Sequence, residues 1–180
     1  MLSFLPNHIG IAYFEGYRPL SQQKDYFIAK YFELRKTMGS DESYKETSKY
    51  VSPFIGNTPT HCTGAAIDIS LFRIDTNNLL DLGKFGTIFG PNDHSHTFSQ
   101  NISKEQQTNR IMLLEAARKA GLVNYGYEWW HYSYGDKVWA YVKHKKCAIY
   151  DQPYSHYSNS ITKEEFIQEL ETQVNFMINR

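Results

Sequence analysis

His61 and Asp68 lie seven residues apart, and further along the chain Glu128 precedes His131 by three. Two imidazoles and a carboxylate are ligands that zinc accepts, and a catalytic zinc site uses three protein ligands with a fourth position left for water. His61, Asp68 and His131 supply such a set, and Glu128 adds a second carboxylate suited to proton transfer. On a regular strand a separation of seven puts His61 and Asp68 on opposite faces. A turn at Thr63-Gly64 breaks that alternation and lets both side chains converge, which gives glycine a physical role there. Glu128 shares the site if the aromatic segment holding Trp129 and Trp130 kinks or ends in a turn. It would then take a proton from zinc-bound water and pass it to a leaving amine. Taken one by one, these residues have plainer readings: Glu128 as an ion-pair partner, the two tryptophans as core, and a His-x6-Asp spacing that arises often by chance.

The elements that must position them follow from periodicity. Ile9 to Phe14 is a short apolar run ending at Gly16, a buried strand that delivers Tyr17-Arg18-Pro19 to a turn. Phe27, Tyr31, Leu34 and Met38 recur at helical spacing, so residues 21–38 read as an amphipathic helix stopped by Gly39. Residues 40–60 are polar, with Pro53 and Pro59, and read mainly as loop. Ala65 to Phe72 alternates and is β-branched at Ile67 and Ile69, a strand carrying Asp68. Residues 76–101 read as a long loop of the kind that lines sites, with His94 and His96 in supporting roles. Ser103 with Gln106 forms a capping box for a helix closed by Gly121, and Tyr125 to Tyr134 is aromatic and strand-like. Thr162 with Glu165 opens a last amphipathic helix. Alternating strands and helices, with the chemistry on antiparallel-looking strands, predict an α+β fold.

Composition narrows the function classes. The 180 residues suit one domain, divided here as 1–160 for the domain with the metal residues and 161–180 for a C-terminal amphipathic helix packed on it. Basic and acidic residues number 19 each, so nothing points to nucleic acid or an anionic membrane, and small polar or zwitterionic substrates fit better than polyanions. No stretch approaches the roughly 20 apolar residues of a membrane span, and Met1-Leu2-Ser3-Phe4-Leu5 lacks a basic signal region, so a cytoplasmic protein is the expectation. Cys62 and Cys147 read as free thiols, because a bridge at Cys62 would crowd the metal site.

His61-x2-Gly64-x-Ala66-x-Asp68, followed by Glu128-Trp129-Trp130-His131 and preceded by Gly16-Tyr17-Arg18-Pro19, resembles the zinc D-alanyl-D-alanine dipeptidases, including the vancomycin-resistance type. Three motifs in the right order over residues 9–142, continued by Ser95-His96, Ser133 to Asp136 and Trp139-Ala140, are specific in a way no single one is. The resemblance implies a single domain with a central antiparallel sheet flanked by helices and the zinc site on the sheet. It implies one Zn2+ per chain held by His61, Asp68 and His131, with Glu128 as base and Arg18 stabilising the transition state. An arginine guanidinium suits that task because the attacked carbonyl oxygen becomes anionic.

Departures from the family pattern cluster on the substrate side. A serine usual two residues before the first zinc histidine is Pro59 here, and a tyrosine common at the pocket wall corresponds to Phe54. An aspartate that would hold the substrate ammonium is replaced by Gly86 or Gly90, with Asp93 as a substitute nearby. The expected function is hydrolysis of D-Ala-D-Ala or a related D-amino-acid dipeptide. The rival on the same scaffold is a peptidoglycan D,D- or L,D-carboxypeptidase or endopeptidase with an altered pocket, and a reading of another class is a catalytically silent zinc-binding module. Only fifteen residues precede Gly16, fewer than in the family. Either the domain is shortened or the true start lies upstream; apolar surface bared by a missing element would be covered by a second subunit, making a homo-oligomer, or by the helix at 162–178.

Overall fold

The computed structural model describes residues 1–84, 94–151 and 161–178. Among the described residues four strands form one antiparallel sheet: β1 (Ile9–Glu15), β2 (Ala66–Arg73), β3 (Val123–Asn124) and β4 (His131–Ser133), in the order β1-β2-β4-β3. The α-helices among the described residues are α1 (Leu20–Arg35), α2 (Ser40–Tyr50), α3 (Lys104–Lys119), α4 (Lys137–Val142) and α5 (Lys163–Ile178). The α+β class and the antiparallel sheet are as the sequence predicts.

Register does the positioning. Asp68 on β2 pairs with Glu15 on β1 and with His131 on β4, so three residues of the site lie side by side across the sheet. Directly opposed residues place their Cβ atoms about 4.5–5.5 Å apart on one face, which brings the Asp68 and His131 side chains together. A register shift between Tyr13 and Glu15 bulges the end of β1, next to the loop that carries Arg18.

Two of the three apolar clusters among the described residues hold the layers together. Ile69, Leu71 and Tyr132 of the sheet pack with Leu113, Ala116 and Ala117 of α3 and with Trp129 and Trp130. The capping box that starts α3 is present, with Ser103 Oγ accepting from the Gln106 amide and Gln106 Oε1 accepting from the Ser103 amide, each at 3.1 Å. The second cluster joins α1, α2 and α5 through Phe27, Tyr31, Tyr44, Phe166 and Leu170. Glu171 of α5 closes that joint by accepting from Arg35 Nε at 2.9 Å, Arg35 Nη2 at 3.0 Å and the Tyr31 hydroxyl at 2.5 Å.

Three elements depart from their sequence reading. Residues 40–50 form the helix α2 and not a loop: Ser43, Tyr44 and Thr47 are its buried residues, so the apolar signal that periodicity needs is reduced to one tyrosine. The aromatic stretch 125–134 is not one strand but a turn feeding β4, because the Glu128 amide donates to the Tyr125 carbonyl at 2.8 Å and the His131 amide to the Glu128 carbonyl at 3.2 Å. The short helix α4 begins where Asp136 caps the Trp139 amide at 2.8 Å. Both cysteines are free, as expected.

Candidate metal centre and cleft

The first ligand candidate stands on a single 3-10 turn. Thr60–Thr63 makes that turn, and Gly64 ends it with φ +73°, a left-handed conformation that costs a residue with a side chain roughly 1–2 kcal/mol. Thr63 Oγ1 donates to the Thr60 carbonyl at 2.6 Å and accepts from the Ala65 amide at 3.0 Å, fixing the exit into β2. The chain therefore reverses between His61 and Asp68 and brings both side chains to one place, as the glycine suggested.

His61 Nε2 lies 3.1 Å from His131 Nδ1 and 3.3 Å from Asp68 Oδ1, and His131 Nδ1 lies 3.1 Å from the same oxygen. Three ligands held about 2.0–2.1 Å from a tetrahedral ion lie roughly 3.3 Å from one another, so this triangle has the size and the donor chemistry that zinc needs. All three residues are buried, and among the described residues they form the group able to hold a metal ion. Burial alone would push the Asp68 carboxyl up, but the bonds to His131 and His61 more than reverse this and hold its pKa at about 2. Burial opposes charge on His61 as well, yet Asp68 raises its pKa.

The outward-facing ring nitrogens are also engaged. His61 Nδ1 donates to the Gly16 carbonyl at 2.8 Å, and His131 Nε2 faces Thr60 Oγ1 at 3.3 Å. Such partners fix the ring orientation and leave the inner nitrogen free to bind. Thr60 escaped the sequence reading, although it directly precedes His61.

Glu128 and Arg18 open onto the same cleft, which has a volume of about 1310 Å3. Glu128 Oε2 is 3.8 Å from His131 Nδ1. Removal from water raises the pKa of Glu128, against the pull of His131. Its turn is held by Asn124 Nδ2, which donates to the carbonyls of Glu128 and His131 at 2.9 and 3.0 Å. Arg18 is oriented by Glu15, through Nε at 2.7 Å and through Nη2, and by Gln23 Oε1 at 2.8 Å from Nη1. A guanidinium has five N–H groups, so these three bonds leave two. Glu15 and Gln23 were likewise not singled out in the sequence; the spacing of Glu15 three before Arg18 is the signal that would have found the first.

The expected substrate residues sit less simply. Phe54 is 1% exposed and packs edge-on against Phe27 and Phe166, while its neighbour Pro53 lines the cleft. Pro59 is buried and starts the 3-10 turn of His61. Gly86, Gly90 and Asp93 lie outside the described residues. His94 and His96 stand apart from the metal group; their carbonyls accept from Arg110, which also bonds the Leu82 carbonyl and stacks on Trp129. Cys62 is buried, and burial pushes its thiol up to about 11, which keeps it protonated and out of the chemistry.

The chain is 24% identical over 131 residues to a D-alanyl-D-alanine dipeptidase of Enterococcus faecalis, covering 71% of this chain and 63% of that protein. It is 32% identical over 108 residues to a D-alanyl-D-alanine dipeptidase of a Synechocystis species, covering 51% and 43%. A solved vancomycin-resistance D,D-pentapeptidase, VanY, in complex with Zn(II) superposes with a TM-score of 0.43 at 17% identity, over 79% of this chain and 71% of that one. The chain spans less than two thirds of the length of these curated relatives. The family profile described as D-ala-D-ala dipeptidase matches residues 10–160, and the chain belongs to that family.

Proposed function

We propose that the chain is a zinc-dependent peptidase in which His61, Asp68 and His131 hold the metal, Glu128 is the general base and Arg18 stabilises the developing oxyanion. The observation that carries this reading is the triangle of two imidazole nitrogens and one carboxylate oxygen, with Glu128 Oε2 only 3.8 Å from one of its corners. A divalent ion in that triangle supplies Lewis acidity and makes water a nucleophile near neutral pH. Glu128, its pKa raised by burial, takes a proton from the attacking water and delivers it to the leaving amine nitrogen. Arg18 keeps two N–H groups beyond those bound by Glu15 and Gln23, and the rigid pair with Glu15 spares the cost of ordering it during the reaction. The peptidase domain is residues 1–160, with the helix α5 packed on it.

The substrate reading is supported by the family, whose named relatives are D-alanyl-D-alanine dipeptidases. Hydrolysis of D-Ala-D-Ala or a related D-amino-acid dipeptide is the leading reading. The size of the cleft favours a second one, a peptidoglycan carboxypeptidase taking a longer peptide: about 1310 Å3 exceeds the ~300–1,000 Å3 typical of sites for drug-sized ligands.

Zinc content and peptide hydrolysis of the wild type and of Glu128→Gln test the mechanism. The expected result is zinc retained in both and turnover lower in the variant by roughly 10²–10⁴-fold. Zinc bound with no turnover in the wild type would make the chain a silent binding module. D-Ala-D-Ala, its N-acetylated form and a cell-wall pentapeptide then divide the two substrate readings, because only the carboxypeptidase cuts the blocked and longer peptides.

A further inference from the structure

Several cationic side chains line the cleft, and all but one meet a carboxylate of their own chain. Arg18 is paired with Glu15, Lys30 with Glu33 at 2.9 Å and Lys49 with Glu46 at 2.6 Å. Lys137, at the start of α4, lines the same cleft as Glu128 and His131 and forms no ion pair among the described residues, its electrostatic neighbour being Asp136, which caps the helix. Its ammonium is nevertheless held in place. It donates to Asn57 Oδ1, and the amide nitrogen of Asn57 is itself fixed by Ser52 Oγ at 3.1 Å and the Pro53 carbonyl at 2.6 Å. An ammonium carries three donors, so two remain after the bond to Asn57.

We infer that Lys137 is the seat for the free C-terminal carboxylate of the peptide substrate, which makes it a specificity-determining residue for an enzyme that cuts at a chain end. The inference rests on the peptidase reading above and adds to it the feature that sets where the substrate stops. Charge supports it: Lys30 and Lys49 already form ion pairs, Arg18 is assigned to the oxyanion, and a carboxylate entering the cleft needs a cation to replace its water. Partial burial lowers the pKa of Lys137, against the pull of the neighbouring Asp136 carboxylate. Neither Phe54, buried in the core, nor Pro59, which has no donor, offers the carboxylate an N–H or O–H from its side chain.

The test compares D-Ala-D-Ala with its C-terminal amide, which has the same shape without the charge. Equilibrium binding of both is measured on zinc-loaded Glu128→Gln protein, with and without Lys137→Met or Lys137→Arg, and steady-state kinetics are measured on the same Lys137 variants carrying Glu128. The expected result is that Lys137→Met lowers the preference for acid over amide about tenfold, through Kd and KM and not kcat, and that Lys137→Arg keeps most of it. A purely structural role would weaken acid and amide alike, and that result overturns the inference. So does a wild type that binds acid and amide equally. Because the binding arm needs no turnover, the two ideas fail separately. Lys137-dependent acid binding without hydrolysis removes the reaction and keeps the seat, and hydrolysis with an acid preference indifferent to Lys137 does the reverse.

Discussion

Replacing Thr60 by valine keeps the volume beside His131 and removes the acceptor facing its Nε2. The ring is 5% exposed, so an Nε2–H deprived of this partner is short of water to replace it. Partners of this kind are worth 10–100-fold in metal affinity. The Thr60–His131 separation of 3.3 Å is just beyond the usual hydrogen-bond range, which places the loss at the low end, about tenfold or ~1.4 kcal/mol. Chelator competition on the metal-free protein measures the zinc dissociation constant directly. Thr60→Ser, which keeps the hydroxyl, should restore most of the affinity, and the thermal midpoint of the metal-free protein should move little in either variant. Unchanged zinc affinity in Thr60→Val, or an equal loss in Thr60→Ser, refutes the idea that this hydroxyl orients His131.

Two further outcomes can be checked on stability. Gly64→Ala meets open space, with Tyr17 Cδ2 the nearest atom at 3.9 Å, so its cost is conformational; denaturant titration should show a loss of roughly 1–2 kcal/mol, and no loss would mean the 3-10 turn does not need φ +73°. Glu171→Gln tests the joint between α5 and α1. The folded pKa of Glu171 lies below its unfolded value of 4.5, chiefly because Arg35 bonds it, so its contribution is present above pH 4.5 and disappears as pH falls through the folded value. Wild type should exceed the variant by about 1 kcal/mol at pH 7 and the gap should narrow towards pH 3; a gap constant with pH speaks against the ion pair as its source.

The site's residue types were legible in the chain because zinc chemistry restricts them: His61, Asp68, His131 and Glu128 stand out by kind and order, and Gly64 by the turn it permits. The strands at Ile9–Glu15 and Ala66–Arg73 and the helices α1, α3 and α5 were legible too, since each buries a regular apolar face or carries a cap written in neighbouring residues. What local sequence does not encode is partnership across the sheet. Asp68 meets His131 only because antiparallel register sets them opposite each other, 63 residues apart in sequence. Helix α2 was hidden because its buried face is Ser43, Tyr44 and Thr47, which periodicity does not recognise as core. The same limit applies to the outer parts of the site. Thr60, Glu15, Gln23 and Lys137 are common residues that stand out only by position, through what tertiary packing sets beside them. The chemistry of the candidate ligands is therefore determined by the sequence itself, whereas the partners that would aim them, and the cleft lysine without an ion pair among the described residues, are decided by the fold.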